Sequence, residues 1–458
     1  MTLAILGAGP AGVGAAFRAA RRKLDRVVVF EQRDSPGGNA GSFDISGIRV
    51  DYGSHRLHPT CDPRVLADLK ALLGDDLLQR PRHGRILLRN RWIGFPLRPL
   101  DLALHLPKSF IFGAAADVLR KRFVPKPAVE SFASVLEAGL GRTVCRDFYF
   151  PFARKLWGLD PAELSPVQAR RRVSANTPAK MLRKTSGKRF FYYPRRGYGQ
   201  LFESLCTAAQ DQGAEFLFHS RVKGIDHDER QVSRINYESA ESPGSLDCQL
   251  VLSTLPINHL VRCLNPHPRI MEAADRMRFR GMILIYLVLE QDHFSEFDAH
   301  YFPEEEIPIS RLSEPKNYSA TCEPRNRTVL CAELPCDPQS ETWAKTDAEL
   351  GELVSQSLSA AGLALRAPPL QVLTRRLAHA YPIYKRGFED DFTLLDDWAQ
   401  GFKNLVTFGR QGLFAHDNAH HALHMAYCAV DCIENAGEFQ WDRWRAYRLE
   451  FEKNVVED

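Results

Sequence analysis

Apolar and polar positions along the chain fall into distinct rhythms. Leu3–Leu6 is a short apolar run; glycines follow, then the alanine-rich stretch Gly12–Arg22, then a second apolar run, Arg26–Phe30, that ends at Glu31. That order predicts strand, tight turn, helix and strand, one βαβ unit. From about Cys61 to Pro194 the pattern changes to helical segments broken by prolines, without comparable strand alternation. Strand–helix–strand returns over Tyr192–Asp226, and another strand is predicted near Cys248–Pro256. The run Met282–Leu289 (MILIYLVL) predicts a buried strand in a second strand-rich region. Asn404–Phe408 predicts a last strand, followed by a glycine turn and a helix to about Ile433; the polar stretch Glu238–Leu246 predicts an exposed hairpin. The expected fold class is α/β. Its first domain is expected to be assembled from residues 1–60, 192–265 and 400–435, with 61–191 and 266–399 as a second domain and 436–458 as a C-terminal helix.

Length changes this picture only by requiring more than one core, since 458 residues exceed the usual single domain. Hydrophobic residues at 44% and charged residues at 25% are ordinary for a soluble globular chain, and a net charge of +4 says little about partners. Ten cysteines without C-x-x-C spacing argue against a zinc ribbon or a disulfide framework and lead to reduced thiols in a cytoplasmic protein. Met1–Phe17 lacks the basic start of a signal peptide, and no apolar run is long enough for a transmembrane helix.

The turn Gly7-Ala8-Gly9-Pro10-Ala11-Gly12 matches G-x-G-x-x-G. Gly7 permits a tight turn, Gly9 lets the backbone approach a pyrophosphate at the helix N-terminus, and Gly12 allows close helix–strand packing. Glu31 follows about 20 residues on, where a carboxylate accepts hydrogen bonds from ribose hydroxyls. Strand, helix and acid agree on a dinucleotide site.

Directly after Glu31 and Gln32 comes Arg33-Asp34-Ser35-Pro36-Gly37-Gly38-Asn39. It resembles the R-x-G-G extension of the amine oxidase, protoporphyrinogen oxidase and UDP-galactopyranose mutase superfamily of flavoproteins. The loop Gly53-Ser54-His55-Arg56-Leu57-His58 is similar to the mutases' G-P-H-x-F-H-T loop, which passes in front of the flavin ring. Trp92–Leu97 resembles their segment ending in phenylalanine-proline. Phe150–Gly158 resembles their Y-x-x-K-Q-W-G motif, with the similarity continuing through Asp160–Arg172, and Phe408–Phe414 stands where they carry G-R-x-x-x-Y. The resemblance implies FAD as cofactor, bound by a Rossmann-type, glutathione reductase-2-like domain with an inserted α+β substrate domain. Besides Gly7, Gly9, Gly12 and Glu31, it implies contacts to FAD from Gln32, Arg33, Gly37, Gly38 and Asn39. It also implies Ser54, His55, Val222 and Thr254, and, near the end, Gly409, Arg410, Asn418 and Ala419. The chain departs from the mutases in the last motif, where Phe414-Ala415-His416-Asp417-Asn418-Ala419-His420-His421 replaces their tyrosines and Y-x-D-M-D. Tyr192–Gly199 is closer to the oxidases' Y-P-x-G-G.

Between Arg142 and Gln200 there are 14 Lys and Arg against 3 Asp and Glu. Arginines suit phosphate oxygens, and the interleaved Trp157 and Phe190–Tyr193 suit bases or sugars, so the segment reads either as an anionic-substrate pocket or as a solvated basic face. Arg154, Trp157, Arg170, Arg172 and Tyr193 are the expected substrate contacts; His55, Arg410 and His416 are the expected catalytic groups beside the flavin. A flavin-facing or capping role for His416, His420, His421 and His424 is expected in preference to a metal. Leu97–Val124, apolar with the basic end Arg120-Lys121-Arg122, is expected to form core helices in preference to a membrane contact. No nucleic-acid module is present. The resulting expectation is an FAD-dependent oxidoreductase moving hydride from a polar sugar- or phosphate-containing molecule, a nucleotide sugar or lipid-linked sugar, to flavin N5. Two alternatives stay open: a non-redox UDP-sugar mutase using reduced FAD, and a flavin-stabilised binding subunit without turnover.

Overall fold

The computed structural model describes residues 1–120, 129–172, 190–228, 230–321, 323–434 and 437–456, without the side chains of 99, 103, 120 and 172. The dinucleotide unit is a five-stranded parallel sheet. Its spatial order is Leu405–Thr407, Leu250–Ser253, Thr2–Leu6, Arg26–Phe30 and Glu215–Leu217. Parallel strands need covered faces, which explains why these strands are short continuous apolar runs. On one face Leu3, Ile5, Val27 and Val29 pack beneath the helices Pro10–Arg21, Gln200–Gln210 and Ala419–Asp431. On the other, Ala4, Leu6, Val28 and Phe30 pack against a three-stranded sheet (Arg221–Asp228, Gln231–Glu238, Pro243–Asp247) and the helix Phe388–Gln400. The hairpin expected at Glu238–Leu246 joins the last two of those strands.

A seven-stranded mixed sheet forms the second layer. Phe279–Leu289 lies between Gln371–Pro382 and Thr328–Cys336, and the sheet runs on through Arg311–Ser313, Ala299–Tyr301, Gly84–Leu88 and Arg91–Phe95. The unbroken apolar run at 282–289 follows from burial of both faces. Side chains alternate sides along a strand: Ile283, Ile285 and Leu287 meet Leu350, Val354 and Leu358 of the helix Asp347–Ala360. Met282, Leu284, Tyr286 and Val288 meet Ile45, Ile48 and Val50.

Two expectations need correction here. The stretch from Cys61 to Pro194 is not purely helical, because Leu77–Pro81, Gly84–Leu88 and Arg91–Phe95 are strands. They are too short, and partly too exposed, to show alternation. The helices Pro99–His105 and Lys108–Arg120 do not bury all their large apolar side chains: Leu100, Leu104, Phe112 and Leu119 are exposed. Lys121 and Arg122, the rest of the expected basic end, lie outside the described residues. All nine described cysteines are buried and unbridged.

Candidate active site

A cavity of about 710 Å³ lies against the glycine turn, with walls from both layers. Gly7 adopts φ +95° and donates its N–H to Phe30 O (2.8 Å), which doubles the chain back after the first strand. A Cβ on Gly12 would stand 1.7 Å from Gly7 O, so only glycine lets the helix start this close. A Cβ on Gly9 would meet nothing within 4 Å; its backbone faces open cavity, the space a pyrophosphate needs. Glu31 is buried, and its two oxygens accept from Ala8 N–H (2.8 Å) and Arg33 N–H (2.9 Å), which aims the carboxylate at the cavity wall. Arg33 spans the second glycine pair, donating to Gly38 O at 2.7 Å and Asn39 Oδ1 at 3.1 Å. This cradle fits FAD.

Among the expected cofactor contacts, Gly7, Gly9, Glu31, Gln32, Arg33 and Gly38 line the cavity, as do Asn39, Ser54, His55, Val222, Thr254, Arg410, Asn418 and Ala419. Gly12, Gly37 and Gly409 stand behind the lining as packing positions. A Cβ on Gly37 would press Gly41 at 2.8 Å, and one on Gly409 would press Ala11 at 2.8 Å.

The loop carrying His55 is held from beneath by buried charge. Asp51 accepts from Ser42 Oγ (2.6 Å), Tyr193 OH (2.6 Å) and Tyr198 N–H (2.8 Å); burial nonetheless pushes its carboxyl above the usual range. Gly53, at φ +98°, turns the chain, and Ser54 N–H donates to Glu333 Oε1 at 2.9 Å. Glu333 also takes a forked pair from Arg311, with distances of 2.8 to 3.0 Å. Arg56 donates to Asp298 (3.0 Å) and to the hydroxyls of Tyr301 and Tyr318 (3.2 Å each). His55 stacks on Tyr198, with centroids 5.3 Å apart, and its Nε2 meets two carbonyl oxygens, Asn39 O at 2.9 Å and Tyr52 O at 3.0 Å. Two acceptors require a proton on Nε2, so the neutral ring carries its bare nitrogen at Nδ1. Burial lowers the His55 pKa, which favours that neutral ring.

Arg410 and His416 share the cavity wall with His55. Arg410 Nη2 donates to Ala380 O (2.6 Å), and its guanidinium lies 5.1 Å from the Tyr381 ring centre. His416 is fully buried, with Nε2 2.8 Å from Pro382 O and its ring edge-on to Tyr384 at 4.9 Å.

The expected substrate residues are placed differently. Arg154 is half-exposed and paired with Asp160 (3.1 Å) and Glu305 (3.4 Å), and exposed Arg170 is paired with Glu130 (2.5 Å). Tyr193 is buried on Asp51, and Trp157 packs in the core against Phe132, 6.1 Å from the His416 ring. None of the four lines the cavity. Arg172 ends a helix, its side chain being outside the described ones, and Lys180, Arg183, Lys184, Lys188 and Arg189 of the basic segment are outside the described residues. Arg154 and Arg170 spend their charge on surface pairs. Lys155 is also spoken for: it is buried and donates to Phe302 O (2.6 Å), Glu304 O and Ile309 O (3.2 Å), and burial pushes its amine down to about 7.

The cavity instead takes its cations from elsewhere. Arg33, Arg56, Arg221, Arg262, Arg311, Arg376 and Arg410 line it, against two carboxylates, Glu31 and Asp417. Arg311 and Arg376 come from strands whose sequence carries no motif. Asp417 had a readable signal, since it lies between His416 and Asn418, both expected at the site. Neither of its buried oxygens receives a hydrogen bond, and the nearest cation-forming group is His421 Nδ1 at 3.5 Å. Of the other helix histidines, His420 is buried and stacks on His58, while His424 lies 3.5 Å from Asp62.

The family model for flavin containing amine oxidoreductases matches residues 10–414. Phytoene dehydrogenase of Streptomyces griseus is 24% identical over 309 residues, covering 57% of this chain and 56% of that protein. The chain thus spans little more than half the length of that curated relative. A reduced UDP-galactopyranose mutase structure superposes with TM-score 0.82 at 19% identity, over 100% of both chains. A protoporphyrinogen oxidase-like structure from Exiguobacterium superposes with TM-score 0.71 at 18% identity, over 94% of this chain and 98% of the other. These likenesses establish the Rossmann-type FAD-binding fold, and the match over residues 10–414 makes the chain a member of the flavin-containing amine oxidoreductase family, with FAD as its cofactor.

Proposed function

We propose that the protein oxidises a polar, anionic substrate, of the nucleotide-sugar or lipid-linked-sugar class, at a carbon bearing a hydroxyl. The observation carrying this reading is the arginine surplus of the cavity: seven arginines against two carboxylates. Three are paired with acids, Arg56 with Asp298 and Arg311 with Glu333 in buried pairs and Arg262 with Asp275 in an exposed one. Arg33 and Arg376 donate to backbone carbonyls, which leaves their charge uncancelled by those contacts. FAD, held by Gly7, Gly9, Glu31, Arg33 and Asn418, supplies the hydride acceptor when bound. His55 Nδ1 takes the hydroxyl proton as the C–H hydride leaves, so the alcohol becomes a carbonyl and charge balances. Arg410 orients the anionic group, and Tyr381 and His416 wall the reacting end from water.

The whole-chain likeness to a UDP-galactopyranose mutase favours one second reading, isomerisation of a UDP-sugar without net oxidation. Turnover assays separate the two. Oxidised protein with a sugar nucleotide and an artificial electron acceptor should yield oxidised sugar and reduced acceptor. Isomerised sugar formed only after dithionite reduction, with no acceptor consumed, would replace oxidation by the mutase reading. A cavity that binds FAD yet turns over neither way would support a binding subunit.

A further inference from the structure

The two helices that follow the strand Arg91–Phe95, Pro99–His105 and Lys108–Arg120, are apolar on both sides. Inwardly, Leu102, Leu106, Phe110 and Ile111 pack on Ile86, Leu88 and Ile93 at the sheet edge, while Gly113 abuts Thr143. Outwardly, Leu100 and Leu104 are 72% and 71% exposed on the first helix, and Phe112 and Leu119 are 71% and 75% exposed on the second. Positions 100 and 104, and 112, 115 and 119, recur every three or four residues, so each helix turns a continuous stripe to solvent. Scattered exposed leucines need no explanation. Here five of the nine large hydrophobic side chains exposed among the described residues fall within 100–119.

Charge on these helices is sorted the same way. The acids are drawn inward: Asp101 accepts from Gly94 N–H (2.6 Å) and pairs with His105, and Asp117 accepts from Thr143 N–H (2.6 Å). Arg98 and Lys108, at the starts of the two helices, are exposed. An apolar stripe framed by cations matches an anionic lipid surface, where leucine and phenylalanine enter the acyl boundary and basic groups meet phosphates. A second copy fits worse, since a two-fold contact through this face would bring like charges together. Among the described residues no helix is long and apolar enough to cross a membrane, so contact would be in plane.

We propose that the face formed by Leu100, Leu104, Phe112 and Leu119, framed by Arg98 and Lys108, docks the protein on anionic membrane lipid. The inference is independent of the reaction assigned above. FAD-loaded protein is sedimented with sucrose-loaded vesicles of phosphatidylcholine alone or mixed with phosphatidylglycerol. Binding should be about tenfold stronger on the anionic vesicles and should weaken as salt is raised to about 0.5 M. The triple variant Leu104→Glu, Phe112→Glu, Leu119→Glu should lose that binding at least tenfold while keeping its flavin content and melting temperature. The charge variant Arg98→Glu, Lys108→Glu should abolish the preference for phosphatidylglycerol. No binding to anionic vesicles, or binding untouched by the triple variant, would overturn the proposal. So would light scattering that shows a dimer the triple variant splits, which would give the face to a second copy.

Discussion

Replacing Gly12 by alanine sets two opposed effects against each other, and the structure decides the sign. In a helix interior alanine is favoured over glycine by about 0.5–1 kcal/mol, so helix preference alone raises stability. Against it, the new Cβ would sit 1.7 Å from Gly7 O and 2.9 Å from Gly7 C, where contacts under 3.0 Å essentially never occur. Gly7 cannot retreat easily: its N–H is tied to Phe30 O, and Thr254 Oγ1 lies 2.5 Å from where a Gly7 Cβ would be. Relief requires the turn or the helix to move by more than ~1 Å, and overpacking of this kind costs about 1–3 kcal/mol. The net is a loss of up to about 2.5 kcal/mol, together with displacement of the N–H groups that face the pyrophosphate. FAD affinity should therefore fall at least about tenfold, equivalent to about 1.4 kcal/mol. The assay is FAD titration of apoprotein with the melting temperature recorded in parallel. Gly14→Ala is the control, because its Cβ meets chiefly the movable tip of Leu423, at 2.9 Å, and Ala426 Cβ at 3.2 Å. A Gly12→Ala protein with unchanged FAD affinity and an equal or higher melting temperature would refute the close-approach argument.

Glu333→Ala strips Arg311 of its forked partner and Ser54 N–H of its acceptor, and should cost about 3–5 kcal/mol in denaturant unfolding; Glu333→Gln should cost visibly less. Lys155, lowered by burial to about 7 from its ordinary 10.5, binds fewer protons folded than unfolded above pH 7. Its contribution to stability therefore rises with pH from about 7 towards 10.5, so wild type should gain on Lys155→Met over that window, and parallel pH curves would contradict the assignment. His55→Asn should retain FAD while kcat falls by about 10²–10⁴, as expected for loss of a general base; an unchanged kcat would remove it from the chemistry. Asp417→Asn deletes a buried carboxylate from the cavity wall and should lower KM for an anionic substrate roughly two- to tenfold.

The dinucleotide unit was readable because its signals are local: Gly7 to Gly12, the strand either side and Glu31 lie within one βαβ span, and each needs a particular residue type. The buried strand at 282–289 was equally plain, since covering both faces removes every polar position. The strands within 77–95 were not, because runs of five residues show too little alternation. Site residues divide the same way. His55, Arg410 and His416 sit in motifs beside glycines and do line the cavity. Arg311 and Arg376 reach it from strands far along the chain, where only tertiary structure reveals which face is inward. Arg154, Arg170 and Tyr193 stand outside the cavity lining, and composition shows neither that the two cations are paired with neighbouring acids nor that the tyrosine is hydrogen-bonded to Asp51.

Anaerobic mixing of FAD-loaded protein with a panel of sugar nucleotides, followed by absorbance, tests the central claim most directly. The account predicts that at least one of them bleaches the oxidised-flavin band near ~450 nm in a single turnover, and that His55→Asn slows the bleaching without releasing FAD. A band left unchanged by every member of the panel, in protein shown to hold stoichiometric FAD, would contradict hydride transfer from this substrate class.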